Sequence, residues 1–280
     1  MTLEEAYSYG RKKLEEAKIE DASIDAWYLL EQETGIDRAT YYLRLQESLS
    51  IEQEESYLLN LQSRALHMPL QHITGIQEFM GLEFQVNEHV LIPRQDTEVL
   101  VEEVLKKLQP KMKVLDMCTG SGCILISLLV HQCNTRGVGV DISTKALEVA
   151  VSNAKRYHIT KEKATFIQSD LFQKVSGTYD VIVSNPPYIQ TSALLELAEE
   201  VRCHEPQIAL DGKEDGLYFY RQILQEAKKY LNQSGWLFLE IGYNQGKAVS
   251  CLMKEQGYTS ITVKKDLTGL DRVVFGMYNI

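Results

Sequence analysis

Apolar positions in the first 75 residues recur at three- and four-residue intervals, whereas beyond residue 110 short apolar runs alternate with helical stretches. Leu3, Ala6, Tyr7, Leu14 and Ala17 share one helix face. A second helix is expected from Ser23, a candidate N-cap, through Ala26, Leu29 and Leu30 to a stop at Thr34-Gly35. Ser50-Ile51-Glu52-Gln53 has the form of a capping box, opening a helix through Leu58, Leu59 and Leu61 that is closed by Pro69. From Ile76 to Ile92 the period drops to two. Phe79, Leu82, Phe84 and Val86 precede a polar Asn87-Glu88 turn and then Val90-Leu91-Ile92, which reads as a hairpin. Asp96 is the expected N-cap of a helix bearing Val99, Leu100, Val104, Leu105 and Leu108.

After Pro110 the expected strands are 113–117, 137–142, 164–168, 179–184, 236–241, 261–265 and 272–278. The expected helices are 124–131, 144–157, 194–200, 216–231 and 245–256. This alternation makes an α/β domain, a mostly parallel sheet with both faces covered. Only a short link separates the last two strands, so the final one enters antiparallel. Seven strands ending this way are the pattern of the Rossmann-like class I methyltransferase sheet. The chain therefore divides into a small helical N-terminal domain (1–75), a linking β-hairpin (76–92) and an α/β domain (93–280).

Composition narrows the function classes. The 280 residues are 44% hydrophobic, enough for one large domain and a smaller companion. The most apolar stretch, Cys123 to Val130, is far shorter than the roughly 20 residues needed to span a bilayer. The start, Met1-Thr2-Leu3-Glu4-Glu5, carries acids where a secretory signal carries bases. Five scattered cysteines, with neither a Cys-x-x-Cys pair nor histidines at ligand spacing, indicate a reduced, cytoplasmic, metal-free protein. Residues 1–92 hold 7 Lys/Arg against 17 Asp/Glu, and residues 93–280 hold 22 of each, so the whole net charge of −10 sits on the first third. An acidic module repels a phosphate backbone. It is read as a solvated helical face, with a docking face for a basic protein partner as the sharper alternative.

Val114-Leu115-Asp116-Met117-Cys118-Thr119-Gly120-Ser121-Gly122 reads as a buried strand running into a small-residue turn and a helix. Gly120 and Gly122 let the backbone turn tightly and approach a ligand, at the carboxyl end of the first strand, where doubly wound sheets bind nucleotides. Asp141 ends the next strand, placed to accept hydrogen bonds from ribose hydroxyls or, alternatively, to cap the following helix. Asp170 ends the third, with Leu171 and Phe172 beside it as covers for an adenine ring or as core. A pyrophosphate fingerprint wants a third glycine, whose place falls on Leu125. S-adenosyl-L-methionine, which has no pyrophosphate, fits better than NAD.

Asn185-Pro186-Pro187-Tyr188 follows the fourth strand and opens onto the same crevice. An amide or aromatic amine nitrogen has a delocalised lone pair and both N–H bonds in plane. The Asn185 side-chain oxygen and the Pro186 carbonyl can each accept one hydrogen, fix that plane, and turn its face towards a methyl donor. Tyr188 is placed to stack on a planar substrate, and Pro187 stiffens the loop. A strand terminator with a packing tyrosine is the plainer alternative.

With these motifs the chain resembles the bacterial peptide chain release factor glutamine methyltransferases. The likeness extends to Pro69-Leu70-Gln71-His72-Ile73-Thr74-Gly75, Phe79-Met80-Gly81-Leu82, Val90-Leu91-Ile92-Pro93-Arg94-Gln95-Asp96-Thr97-Glu98, His204-Glu205-Pro206 and Asp266-Leu267-Thr268-Gly269-Leu270-Asp271-Arg272. The resemblance implies that Asn185, Pro186, Pro187 and Tyr188 hold the glutamine of the Gly-Gly-Gln loop of class 1 release factors. It implies a cofactor site at Cys118, Thr119, Gly120, Ser121, Gly122, Asp141, Asp170 and Leu171, with Asn185 touching both ligands. Arg94 and Thr97 are expected either at the methionine end of the cofactor or in a structural cap and ion pair. Cys118 departs from the family, which commonly has glycine there, and is strained if its φ is positive. The expected partner is a release factor, with no nucleic acid, no membrane and a monomeric chain. An adenine-N6 nucleic-acid methyltransferase uses the same tetrapeptide but calls for a basic groove. A non-catalytic cofactor-binding adaptor calls for an eroded one.

Overall fold

A computed structural model describes residues 1–279. It divides into two compact units, Met1–Gly75 with Ala198–His204, and Ile76–Leu197 with Glu205 onwards.

The first unit holds helices α1 (Leu3–Glu16), α2 (Ala22–Thr34), α3 (Arg38–Leu43), α4 (Ile51–Ala65) and α5 (Leu70–Thr74). The Ser50 capping box forms as expected: Gln53 N donates to Ser50 Oγ and Ser50 N donates to Gln53 Oε1. The start of α2 differs. Its N-cap is Asp21, without a side-chain cap bond, and Ser23 lies inside the helix. Buried Leu14, Leu29, Leu30, Tyr57 and Leu61 form the core. Arg64 ties this unit together, pairing with Asp25 at 2.6 Å and with Glu200 at 2.9 Å. Burial raises the pKa of Asp25, and the Arg64 contact works against that rise.

The second unit opens with the hairpin β1 (Ile76–Phe79) and β2 (Leu82–Gln85), turning at Met80-Gly81. The chain does turn at Asn87-Glu88, where Val90 N donates to Asn87 O at 3.2 Å, but Val90-Leu91-Ile92 form no strand, so the expected hairpin about that turn is absent. Met80, at φ 54, and Gly81, at φ 70, supply the two left-handed residues that a tight two-residue hairpin needs. Then follow α6 (Gln95–Leu105), β3 (Lys113–Met117), α7 (Cys123–His131), β4 (Arg136–Asp141), α8 (Thr144–Arg156), β5 (Ala164–Gln168) and β6 (Tyr179–Ser184). The N-cap of α6 is Arg94, not Asp96. The helix expected over 194–200 is instead a 3-10 segment, Thr191–Glu196, and a separate α9 (Glu199–His204), which belongs to the first unit. The chain ends through α10 (Tyr218–Ala227), β7 (Leu231–Glu240), α11 (Gly246–Glu255), β8 (Thr259–Lys265) and β9 (Asp271–Tyr278). α10 is shorter than expected because Leu231 already pairs with Tyr179 as the start of β7.

The sheet order is β5-β4-β3-β6-β7-β9-β8, parallel except for β9, which is antiparallel to both neighbours. The expected class I methyltransferase topology is present. Alternation through the strands sends side chains to two cores. Val114, Val181, Val183 and Phe238 pack with α6 and α7, while Leu115, Ile182, Leu237 and Leu239 pack with α10 and α11. With both faces covered, each central strand is nearly all apolar, so the few polar residues at the carboxyl ends of β3, β4, β6 and β7 are exceptions that call for a reason. Among the described residues no helix is long and apolar enough to cross a membrane.

Candidate active site

β3 ends at Met117 and α7 begins at Cys123, so the chain reverses within five residues. It does so with three left-handed positions, Cys118 (φ 62), Gly120 (φ 54) and Gly122 (φ 80). The turn is held by backbone bonds. Thr119 N donates to Val140 O at 2.9 Å and Gly122 N to Thr119 O at 2.8 Å. Gly120 N donates to Asp141 Oδ2 at 2.9 Å. The two glycines serve different ends. A Cβ on Gly122 would lie 2.9 Å from Ile126 Cδ1 and 3.1 Å from Ala150 Cβ, whereas a Cβ on Gly120 would meet nothing within 4 Å. Gly122 permits close helix packing, and Gly120 opens onto free space. Cys118 carries the strain foreseen for a side chain at positive φ, a cost of about 1–2 kcal/mol. Burial, reinforced by Asp141, pushes its thiol well above the usual range.

Asp141 closes β4 with both oxygens engaged, Oδ2 by Gly120 N and Oδ1 by Ser143 N at 2.9 Å. The helix-cap alternative falls to Ser143, whose hydroxyl accepts from Ala146 N at 3.2 Å. Each Asp141 oxygen retains a lone pair, enough to accept a pair of hydroxyls. Burial raises its pKa against these hydrogen bonds. Asp116, beneath the turn, is fully buried. Its Oδ2 accepts from Thr119 Oγ1 at 2.6 Å, and burial lifts its pKa to about 7. Asp170 lies beyond the end of β5 and is exposed, its Oδ2 accepting from Gln173 Nε2 at 2.9 Å. Phe172 does not cover a ligand: it is buried, stacked on Tyr230 with ring centroids 4.9 Å apart.

These residues surround a cavity of about 320 Å3, lined by Cys118 to Ser121, Asp141, Asp170, Leu171, Asn185 and Pro187, with Arg94 and Thr97 at its wall. Gly122 stands behind it. The size lies within the roughly 300–1,000 Å3 of small-molecule sites. Open space over Gly120, spare carboxylate lone pairs on Asp141 and the absence of any lysine or arginine from the turn suit an adenosine bearing a positive sulfonium. Arg94 has a structural role besides: it pairs with Glu205, whose Oε2 also accepts from Ile92 N at 3.1 Å.

The tetrapeptide leaves β6 at Ser184, whose hydroxyl donates to Met117 O at 2.7 Å and locks the ends of β3 and β6 together. Asn185 Nδ2 donates to Thr97 Oγ1 over a long 3.3 Å, leaving Oδ1 free to accept. Asn185 and Pro187 line the cavity. Pro186 is buried, and Tyr188, expected to stack on substrate, sends its hydroxyl to Glu240 Oε1 at 3.2 Å. Tyr188 O accepts from Gln245 Nε2 at 3.0 Å, and Gln245 Oε1 accepts from Gly242 N at 2.9 Å. Glu240, at the end of β7, is 2% exposed. Burial raises its pKa to about 7, opposed by the Thr97 hydroxyl, Arg272 and Tyr188. Arg272 itself pairs with Asp96 and Asp266, both at 3.0 Å.

Glu240 and Gln245 were missed by sequence reasoning. A signal existed for the first: Leu237-Phe238-Leu239-Glu240-Ile241 places a lone acid in an apolar strand, and burying a charge is costly without a partner. Gln245 gives no such signal, being one polar residue in a polar loop.

Comparison with known proteins adds independent findings. Residues 5–75 match the model of the PrmC N-terminal domain, and residues 94–207 that of the methyltransferase small domain. The chain is 40% identical over 276 residues to a release factor glutamine methyltransferase of Geobacter sulfurreducens, covering 98% of this chain and 96% of the relative. It is 39% identical over 282 residues to one of Caulobacter vibrioides, covering 100% and 97%. A methyltransferase structure from Pyrococcus furiosus superposes with a TM-score of 0.53 at 18% identity, over 79% of this chain and 99% of that one, a likeness of fold.

Proposed function

The chain belongs to the release factor glutamine methyltransferase family, and on that premise we propose that it methylates the side-chain amide nitrogen (N5) of the glutamine in the Gly-Gly-Gln loop of class 1 release factors. The observation that carries this reading is the position of Asn185, which lines the same cavity as the glycine turn and Asp141 and has Oδ1 free to accept.

The Cys118–Gly122 turn, Asp141, Asp170 and Leu171 would hold S-adenosylmethionine, which would supply an electrophilic methyl carbon on a positive sulfonium. The chain's own residues position the nucleophile. Asn185 Oδ1 and the Pro186 carbonyl accept the two hydrogens of the substrate amide, hold it flat, and turn its nitrogen face towards that carbon. As the new N–C bond forms and the methyl–sulfur bond breaks, positive charge grows on nitrogen, and the same two oxygens stabilise it. The methylated nitrogen is then acidic enough to lose a proton to water. Pro187 keeps the loop stiff, and Tyr188 anchors its far end through Glu240 and Gln245.

Residues 1–75 are the substrate-docking domain in this reading, supported by an acidic charge that suits a basic partner surface. The enzyme works as a cytoplasmic monomer without contacting nucleic acid. The test is methyl incorporation from labelled cofactor into release factor, into a loop Gln→Glu variant of it, and into DNA or RNA. Label is expected only in the first; label confined to nucleic acid overturns the assignment.

A further inference from the structure

None of the three N–H bonds that shape the glycine turn uses the Ser121 carbonyl. That oxygen is met from outside by Asn153, on α8, whose Nδ2 donates to Ser121 O at 2.9 Å. The same nitrogen donates to the carbonyl of Gln85, the last residue of β2, at 3.0 Å, and Asn153 Oδ1 accepts from Gln85 N at 2.7 Å. One amide thus pairs with Gln85 as a neighbouring strand would, and with the turn as well. Its orientation is fixed. Rotation by half a turn would set the NH2 group against the Gln85 N–H and the oxygen against two carbonyls.

The contact needs a close approach of α8, and the sequence provides for it. Gly122 has no Cβ, and one there would lie 3.1 Å from Ala150 Cβ and 3.4 Å from Ala150 Cα. Ala150 and Asn153 stand three residues apart on α8 and share a face, so this small pair brings the amide within reach of Ser121. Asn153 is fully buried. Water does not replace a bond lost there, so a shift of the turn leaves a buried polar group unpaired at one end or the other. The hairpin end is tied to the same helix twice more. Ser152 Oγ donates to Gln85 Oε1 at 2.6 Å, and Tyr157 Oη donates to Glu83 O at 2.8 Å. We infer that Asn153 is a positioning residue for cofactor binding, fixing the Ser121 end of the turn against the linking hairpin; this rests on the turn being the cofactor seat. Ser121 lines the cavity, whereas Asn153 and Gln85 do not. Cofactor affinity therefore depends on a hairpin outside the cavity, and bound cofactor in turn steadies that hairpin.

The experiment compares wild type, Asn153→Leu, Gln85→Pro, the double variant and Asp141→Ala, each as the full chain and below its thermal midpoint. Measured are S-adenosylmethionine affinity by calorimetry, kcat on release factor at saturating cofactor, and amide hydrogen exchange in β2 with and without cofactor. Asn153→Leu keeps a branched shape and removes all three bonds. Gln85→Pro removes the N–H that Oδ1 accepts and leaves Asn153 in place. Affinity is expected to fall about tenfold in the first and about threefold in the second, the scale of couplings carried through packed side chains. At saturating cofactor kcat should stay within about twofold of wild type. The double variant should be no worse than Asn153→Leu, as expected for one shared path. Cofactor should slow exchange in β2 of the wild type by about fivefold and leave it unchanged in Asn153→Leu. Wild-type affinity in Asn153→Leu and Gln85→Pro, with affinity lost in Asp141→Ala, overturns the inference and leaves the cofactor seat standing. Wild-type affinity in Asp141→Ala overturns the seat itself. Losses that add in the double variant, or exchange that responds to cofactor equally with and without Asn153, make the residue merely structural and also overturn the inference. If Asn153→Leu does not fold, the wild-type exchange and Gln85→Pro decide: no slowing and unchanged affinity reject the coupling, and both effects together support it.

Discussion

The glycine turn and the tetrapeptide face one cavity, yet they are built by opposite means. The turn is held by its own backbone: three left-handed residues and three N–H bonds, to Val140 O, Thr119 O and Asp141 Oδ2, all within β3, β4 and the turn itself. The tetrapeptide is held by side chains remote in sequence, Thr97 from α6, Glu240 from β7 and Gln245 beside α11. Backbone cradles suit a ligand that is the same at every turnover, because their geometry depends on few residues. A loop keyed by side chains can aim two acceptors at one nitrogen, and it is correspondingly sensitive to the loss of any key. The two regions should therefore fail differently when broken, one in rate and the other in cofactor affinity.

The largest effect is expected from Asn185→Ala. Removing one group that stabilises developing charge costs about 100- to 1,000-fold in kcat, with a smaller loss of calorimetric cofactor affinity because Asn185 also lines the cofactor cavity. Gly122→Ala is the mirror case. A methyl group at φ 80, 2.9 Å from Ile126 Cδ1, strains the turn, and a strained position of this kind costs about 1–3 kcal/mol. Cofactor affinity and thermal midpoint should both fall, with kcat at saturating cofactor nearly preserved; a pure kcat loss would erase the contrast between the regions. Cys118→Gly runs the other way. It relieves a left-handed side chain and should raise the thermal midpoint by the equivalent of about 1 kcal/mol or less, since glycine also loses more freedom on folding.

The smallest effect is in pH. Glu240 and Asp116 titrate at about 7 in the folded chain, raised chiefly by burial, and at about 4 when unfolded. Between those values the folded state keeps protons that the unfolded state has lost, so their contribution to stability is full below about pH 4 and is lost as pH rises to about 7. Urea midpoints measured at pH 5 and pH 8 should fall less in Glu240→Gln than in the wild type.

The same contrast explains what was legible in the sequence. Gly120, Gly122, Asp141 and the alternating strands announce themselves locally, because a tight turn and a buried parallel strand each demand particular residue types where they occur. The antiparallel ending of the sheet followed from the short link between its last two strands. The hairpin was misplaced for a local reason: Asn87-Glu88 does turn, but the left-handed Met80-Gly81 pair brings two strands together. The anchor of Tyr188 was not foreseen, because a tyrosine beside two prolines shows an aromatic ring and not its partner; Glu240, 52 residues later, decides where the hydroxyl goes. Phe172 likewise turned inward once Tyr230 offered a ring to stack on. Long-range pairings of this sort are written in two places at once, and neither half is distinctive alone.

Mass spectrometry of a class 1 release factor after incubation with cofactor and either wild type or Asn185→Ala tests the central claim most directly. The account predicts one added methyl on the amide nitrogen of the loop glutamine with wild type and none above background with the variant. A methyl on another residue, or an unchanged yield from Asn185→Ala, would contradict it.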